Sequence, residues 1–562
     1  MTKKIPILLL VLLLLSGAGM VVSGQEKVHI STDREIYFSG DILWYRPWIL
    51  PTGIAAHGLT SRIVYLELLN QNNAPIVQQK ADLWKSGGAG CFTIPPATVS
   101  GNYILRAYTN VNRNQGPESF FAKHIIVINP GYPTPVFQAG SINSSPTTLD
   151  QVGNESTTQN LEFQITGKGM IFRPGQTVDL EILTLAGNKP VSAELSVSVA
   201  LQLSNCPLNP GITASFSQSA ETVSSTDSNF LSKEYETDYI SGFLEHNGKG
   251  FSNQDLYFSV PGENNMVMVL RTSDNGKFNF PVSRLEGEQE ILLSISDSSK
   301  GLLLSLDEEF DPRFSGRDNF SPCIDSIIPA SLNSAFLEWQ IRRNYGLRND
   351  TVFIPLKETF QFFGKADVDL NLKEYAELPS MEEVFFELVK QVMVLKRKKE
   401  TSLAVIDRET NRTLGDHILY LLDGVPVFST SDILELVPAQ VSRIQVVARP
   451  YYLGTAVFDG IISIATHGGA RNSAKYTNFS AGKWIKFAMA PALFWRPAAV
   501  PENYPDFRPL RYWNSSIHTG AGGKAMIHFT VPDAAGTYQI MTEGIGAGNS
   551  AGRKYFLFRV AP

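Results

Sequence analysis

Between His417 and Gly469 the sequence leaves the chain little choice of fold. Ile418 to Leu422 is an unbroken apolar run of strand length, and Asp423-Gly424 follows at once. Both residue types tolerate the left-handed backbone of a tight two-residue turn, so Val425 to Phe428 is predicted to return as a second strand. Ser429 and Ser431 are N-cap residues for a short helix over Asp432 to Leu436, which Pro438 ends. Val441 to Val447 alternates as a strand, and Gly460 to Ala465 closes the unit with another apolar strand. Asp423 and Gly424 are therefore expected to be structural, with Val425 opening the return strand. The rival reading makes Asp423 a ligand for a metal or small molecule, but one carboxylate does not make a site.

The rest of the chain reads as β structure. A single hydrophobic core stops growing near ~250–300 residues, so 562 residues predict several domains. Aromatic and β-branched residues are plentiful and Pro and Gly are spread throughout, which suits short strands and turns. In 25–128, a Ser39-Gly40-Asp41 turn separates two strands, and Val64, Leu66 and Leu68 alternate along a third. Residues 129–160, rich in Pro, Ser, Thr, Asn and Gln, read as a linker. A second β domain is expected over 161–306, with a polar insertion at about 204–253 and a hairpin turn at Asp274-Asn275-Gly276. A partly helical connector, 307–350, carries a helix over Ser334 to Tyr345. Ser380-x-x-Glu383 is a capping box for a stronger helix. It is expected to run through Val392 and to end at Lys396 to Lys399, where cations suit the helix dipole. The last segment, 471–562, contains strands at Ala525 to Val531, Tyr538 to Glu543 and Tyr555 to Val560.

Thr32-Asp33-Arg34, Ile36-Tyr37, Gly40-Asp41 and the closing Gly101-x-Tyr103-x-Leu105-x-Ala107-Tyr108 resemble a macroglobulin-type β-sandwich, the domain repeated in alpha-2-macroglobulins. The segment from Leu161 has the same style, and Gly523 to Tyr538 resembles one more macroglobulin strand pair. The thioester of alpha-2-macroglobulins needs a Cys-Gly-Glu-Gln run. Cys91, Cys206 and Cys323 are followed by Phe92, Pro207 and Ile324, so covalent trapping of a protease does not carry over.

The His417–Gly469 stretch itself resembles the plug domain of TonB-dependent outer-membrane receptors. Leu419, Tyr420, Asp423, Gly424 and Val425 carry the resemblance, with Ile444, Val446 and Val447, then Gly454, Ala456, Gly460, Ile461, Ile464 and Thr466. Asp423, Gly424, Val425, Gly454 and Gly460 are its structural motif, and 351–470 is the extent of the plug-like α/β domain. Such a receptor surrounds its plug with a barrel of about 22 strands. At ~9–11 residues per strand that takes more than ~200 residues, and the segment after Gly469 is too short for it. The fold class expected is thus multidomain and mainly β: macroglobulin-like sandwiches, a small α/β plug-like domain and a C-terminal β segment. The combination resembles barrel-less envelope proteins of Bacteroidota.

Lys3, Lys4 and the apolar Ile7 to Leu15 read as a signal peptide over 1–24, cut before Gln25, with an uncleaved anchor as the alternative. No later stretch is apolar for long enough to span a bilayer as a helix. Three widely spaced cysteines make no disulfide framework. No two of the eight histidines lie three to five residues apart, so no helical metal pair is present. Thr519 to Lys524 lacks both the first Gly and the Ser or Thr of a phosphate loop. No catalytic residue, cofactor or metal is assigned. The formal net charge of −6 is mild and argues against nucleic acid as the main partner. These readings converge on an exported, non-enzymatic binding or scaffold protein in the periplasm or at the outer membrane. Its partner would be another envelope protein, its membrane association would run through partners, and its ligand is unknown. The alternatives are an uptake component whose plug-like unit works inside a barrel from another chain, and an envelope hydrolase or protease inhibitor.

Overall fold

The computed structural model describes residues 25–561 except 53–59, 132–159, 167–170, 218–233, 297–300, 315–326, 345–349, 354–360, 470–481, 498–505 and shorter gaps. The proposed signal peptide, most of the 129–160 linker, Cys206 and Cys323 lie outside the described residues. The fold is mainly β, in several sandwiches with one small α/β body. It divides into two compact units. One comprises 1–236, 311–354 and 490–562; the other comprises 237–310 and 355–489.

The first unit opens with a sandwich. Strands Gln25–Thr32, Ile42–Thr52 and Gly90–Thr93 form one sheet. Pro75–Asp82, Ile63–Leu69, Gly101–Tyr108, Phe121–Ile128 and Ile36–Phe38 lie side by side in the other. The Asp33-Arg34 and Gly40-Asp41 motif proves to be a buried polar staple between strands. Arg34 donates to Asp33 (2.9 Å) and Asp41 (3.2 Å), and its guanidinium lies 4.6 Å above the Tyr37 ring. Tyr37 donates its hydroxyl proton to Asp33 (2.7 Å), and the Trp44 amide donates to the same carboxylate (2.8 Å). Burial of the two carboxylates is tolerable because every one of these bonds is charge-assisted. The expected alternation of Ile63–Leu69 is hidden, since all seven residues are buried. Tyr65 on the polar face stacks on Tyr108 at 5.5 Å, and Glu67 is paired with Arg106.

The second sandwich corrects the domain boundaries expected from sequence. Leu161–Thr166, Thr177–Ala186 and Ala193–Leu201 do not continue into 239–306. Leu161–Thr166 pairs with Thr177–Ala186, and Thr177–Ala186 and Ala193–Leu201 pair with C-terminal strands. Lys524–Thr530 lies against Thr177–Ala186, whereas Gly536–Gly546 lies between Ala193–Leu201 and Ala551–Val560. The two C-terminal strands read as a pair are thus in opposite sheets, and the Pro532-Asp533 turn carries the chain from one to the other. Ala193–Leu201 is an interior strand and is buried on both faces, Ser196 and Ser198 included. The connector helix spans Pro329–Asn344, starting earlier than expected because Pro is pre-organised for the first turn. Leu332, Ala335, Phe336 and Trp339 pack on Ile36, Phe38, Ile126 and Ile128.

In the second unit, the part of 204–253 read as a polar insertion contains Tyr239–His246, a central strand whose Ile240 and Leu244 point into a core. It pairs with Lys277–Pro281 on one side and Leu302–Leu306 on the other. The facing sheet contains Met266–Arg271, Asp255–Val260, Gly287–Ile295 and Gly482–Met489. Asp274-Asn275-Gly276 is therefore a corner between sheets rather than a hairpin, because Met266–Arg271 and Lys277–Pro281 belong to different ones.

The α/β body follows in the same unit. Its sheet runs Val368–Asn371, Val441–Val447, Gly460–Thr466, Ile418–Leu422, Val425–Val427. Ser380 caps the helix as expected, accepting from the Glu383 amide at 3.3 Å. That helix, Met381–Leu388, stops far short of Lys399; Val392–Arg397 is a strand paired with Glu400–Ile406. Val389, Val392 and Val394 explain the change, since β-branched side chains crowd a helix and suit a pleated strand. The second helix covers Thr430–Leu434. Ser429 holds its N-cap position, but its hydroxyl bonds to that of Ser431 (2.5 Å) rather than to a backbone amide.

Candidate functional site

Asp423 (φ 52°) and Gly424 (φ 84°) are both left-handed and join Ile418–Leu422 to Val425–Val427. Asp423 does more than turn. Its carboxylate accepts from the Thr466 amide (2.6 Å) and hydroxyl (2.8 Å), and its own amide donates to the Ile464 carbonyl (2.8 Å). Both oxygens are thus spent on the end of the neighbouring parallel strand. Val425 is buried beside it.

The glycines have a further reason to be glycine. A Cβ on Gly424 would lie 2.8 Å from Asn265 Cβ, and one on Gly454 (φ 60°) would lie 1.8 Å from the Val269 carbonyl oxygen. Pro261, Asn265 and Val269 belong to the neighbouring sandwich of the same unit. Gly460 makes a close approach within the α/β body, where a Cβ would stand 2.8 Å from the Val447 carbonyl oxygen. Three of the five motif residues, Asp423, Gly424 and Gly454, are therefore gathered along a seam where the α/β body meets the sandwich. Its apolar floor joins Leu419, Leu421, Val447, Phe458 and Ile461 from the α/β side to Tyr257, Val267 and Val269 from the sandwich side. The opposite face of the α/β sheet is covered by its own helices, through Val384, Phe385, Ile433, Tyr420, Ile444 and Ile462.

Sequence spacing missed a second constellation, in the first unit. His29, on Gln25–Thr32, accepts or donates at Nδ1 to the Ser215 hydroxyl (2.8 Å) and faces Glu543 through Nε2 (3.4 Å). Lys123 stands 3.6 Å from Glu35, and Arg553 stands 3.8 Å from Glu35 and 3.7 Å from Glu543. A cleft of about 440 Å³, counting its open mouth, is lined by Glu35, Arg34, Leu203, Leu208, Met541 and Tyr555. The residues are up to hundreds of positions apart, and only the sandwich pairing brings them together. Burial pushes the His29 imidazole below its ordinary value, against the pull of Glu543, and Lys123 and Arg553 add to the lowering. Burial raises Glu543, but His29 first, then Lys123 and Arg553, outweigh that and hold the carboxyl below the usual carboxylate range.

Ser215, His29 and Glu543 stand in the order of a hydrolase triad. The chemistry is less favourable than the order. His29 is 1% exposed and flanked by the Phe121 and Phe216 rings, so a substrate carbonyl has no open approach to it. Glu543 already faces Arg553, which weakens its hold on a developing imidazolium. The His29–Glu543 and Arg553–Glu35 pairs clamp the first sandwich to the second. Cys91 is buried. Among the described residues, no group of three or more His, Cys, Asp or Glu side chains is placed to hold a metal ion. No described helix is long and apolar enough to cross a membrane.

No family model matches the chain, and no curated protein matches it. Solved structures similar to it include the alpha-2-macroglobulin of Salmonella reacted with methylamine, at 9% identity over 96% of this chain and 40% of that one, with a TM-score of 0.22. The native conformation of the Escherichia coli alpha-2-macroglobulin is similar at 10% identity over 97% of this chain and 40% of that one, with a TM-score of 0.23. A carbohydrate-binding module of the β-sandwich superfamily matches 46% of this chain at 8% identity, with a TM-score of 0.14. The chain spans about two fifths of the length of these macroglobulins. Superpositions this loose carry no argument about activity.

Proposed function

We propose that this is an exported, non-enzymatic scaffold or binding protein of a Gram-negative cell envelope that works through protein partners at the outer membrane. The seam carries the reading. Both faces of the α/β sheet are covered by the chain's own residues, one by helices and one by a sandwich. A plug-like unit held this way is a fixed structural module, and recognition is left to the sandwich edges. Entry of that unit into a barrel from another chain would require the seam to open and expose Leu419, Leu421, Phe458 and Ile461 to a new surface.

The test is recovery of the tagged mature protein from envelope fractions after mild cross-linking, with partners identified by mass spectrometry. A reproducible envelope protein partner is expected. A barrel protein in stoichiometric amount, cross-linked through the seam residues, would replace this reading with the uptake one. Absence of any envelope partner would overturn it. Ser215→Ala supplies the enzymatic control: hydrolysis of an ester or peptide panel by the parent, lost in the variant, would make the clamp a catalytic site.

A further inference from the structure

The strand Leu302–Leu306 lies at the border of its sheet. It pairs with Tyr239–His246 on one side, and among the described residues no strand pairs with the other. The direction of its backbone groups follows from two bonds. The Asn247 amide donates to the Gly301 carbonyl (3.1 Å), and the Asp307 amide donates to the Ser241 carbonyl (3.0 Å). Alternation then turns the backbone groups of Leu303 and Ser305 inward and those of Leu302, Leu304 and Leu306 outward.

Proteins usually blunt such an edge with charge, Pro, a bulge or a covering element. Two other borders of this sandwich are treated so. Lys277–Pro281 carries an exposed Lys at one end and an exposed Pro at the other. The edge at Met266–Arg271 is approached by Gly454 and Thr455, whose amide donates to the Val269 carbonyl at 3.3 Å. Leu302–Leu306, reading LLLSL, has no charge, no Pro and a regular register, and Leu303 is 59% exposed.

We propose that this strand is a self-association edge, pairing antiparallel with the same strand of a second copy about a two-fold axis at Leu304. Leu304 then faces Leu304 of the other copy, and Leu302 faces Leu306. All three are residues with outward backbone groups, so one register satisfies them together with about six hydrogen bonds. The same register continues the apolar inner face from one sandwich into the next. Charge selects the direction. Asp307 and Glu308 follow the strand at once and are exposed. Antiparallel pairing sets the two acidic ends at opposite ends of the ribbon, whereas parallel pairing would stack them. The edge is short and its interface falls below the ~1,200 Å² of a stable complex, so the association is a weak, concentration-dependent one.

Sedimentation of the mature full-length chain from about 1 to 300 µM is the test, since weak interfaces of this size associate in that range. A reversible monomer–dimer equilibrium is expected. Leu303→Lys should weaken it ~10-fold by charging the edge and setting two ammonium groups diagonally across the axis. Leu303→Ala, which leaves the edge uncharged, should keep it within a few-fold. Thermal melts of both variants identify any effect that comes from unfolding. A chain that stays monomeric throughout overturns the proposal, as does a dimer indifferent to Leu303→Lys. This inference is independent of the envelope reading, which can fail on partner recovery while the self-association stands.

Discussion

Gly454 shows how one missing atom can be read from structure but not from sequence. The resemblance marked it as a motif residue, and its left-handed φ of 60° gives a backbone reason. The 1.8 Å approach of a hypothetical Cβ to the Val269 oxygen gives a second reason, in a different domain. Gly454→Ala should therefore destabilise the protein by ~2 kcal/mol or more, beyond the ~1 kcal/mol of an ordinary left-handed Gly replacement. Chemical denaturation measures it, and a loss under ~1 kcal/mol would show that the seam yields easily. Asp423→Asn should be milder than Asp423→Ala. Asn keeps the turn and one acceptor for the Thr466 amide, whereas Ala leaves that amide unpaired at a cost of ~1–3 kcal/mol. The Asp423-Gly424 turn was legible because turn chemistry is local. The His29–Glu543–Arg553 clamp was not, because no spacing rule links positions so far apart.

Elements were legible where periodicity and capping agreed, and obscure where burial on both faces erased the pattern. Ser380 announced its helix, but only pairing with Glu400–Ile406 shows that Val392–Arg397 has left it. The Pro329–Asn344 helix brings a titration with it. Burial raises Glu338 to about 7, opposed by Arg511 and Arg342 and assisted by Asp506. A carboxyl raised in the folded state binds more protons folded than unfolded, so its contribution is present below pH ~4.5 and lost as pH rises through about 7. His124, on Phe121–Ile128, has the opposite sign. Burial lowers it to about 4, against Glu35, so stability is lost as pH falls from ~6.5 toward 4. The two slopes overlap between pH ~4.5 and 6.5 and oppose each other. Glu338→Gln should expose the His124 slope, giving a protein that weakens on mild acidification by up to ~3 kcal/mol. His124→Gln should expose the reverse slope. Urea midpoints across pH 4 to 8 check both, and parallel curves for parent and Glu338→Gln would exclude Glu338 as the source.

At the scale of the whole molecule, connectivity is what the sequence concealed. Strand patterns at 161–201 and 524–560 were each readable, but nothing local says that they close one sandwich around an intervening stretch of chain. The same holds within the second unit, where 239–306 and 482–489 close a sandwich around the α/β body. The α/β body leads on at its C-terminal end to Gly482–Met489 of that sandwich and shares an apolar floor with it. The α/β body and its sandwich should therefore lose structure together. Val269→Asp tests this from the sandwich side. Val269 is fully buried between Tyr257 and the Leu419–Leu421 face, and a carboxylate there has no cation to meet it among the residues of that floor. An unpaired buried charge costs several kcal/mol, enough to open the floor rather than dent it. Hydrogen exchange should then accelerate not only in Asp255–Val260 and Met266–Arg271 but also in Ile418–Leu422 and Gly460–Thr466, which follow Val269 by about 150 to 200 positions in sequence. Acceleration confined to the sandwich strands would mean that the α/β body holds its own fold with one face bare. It would then be free to leave the seam for another chain.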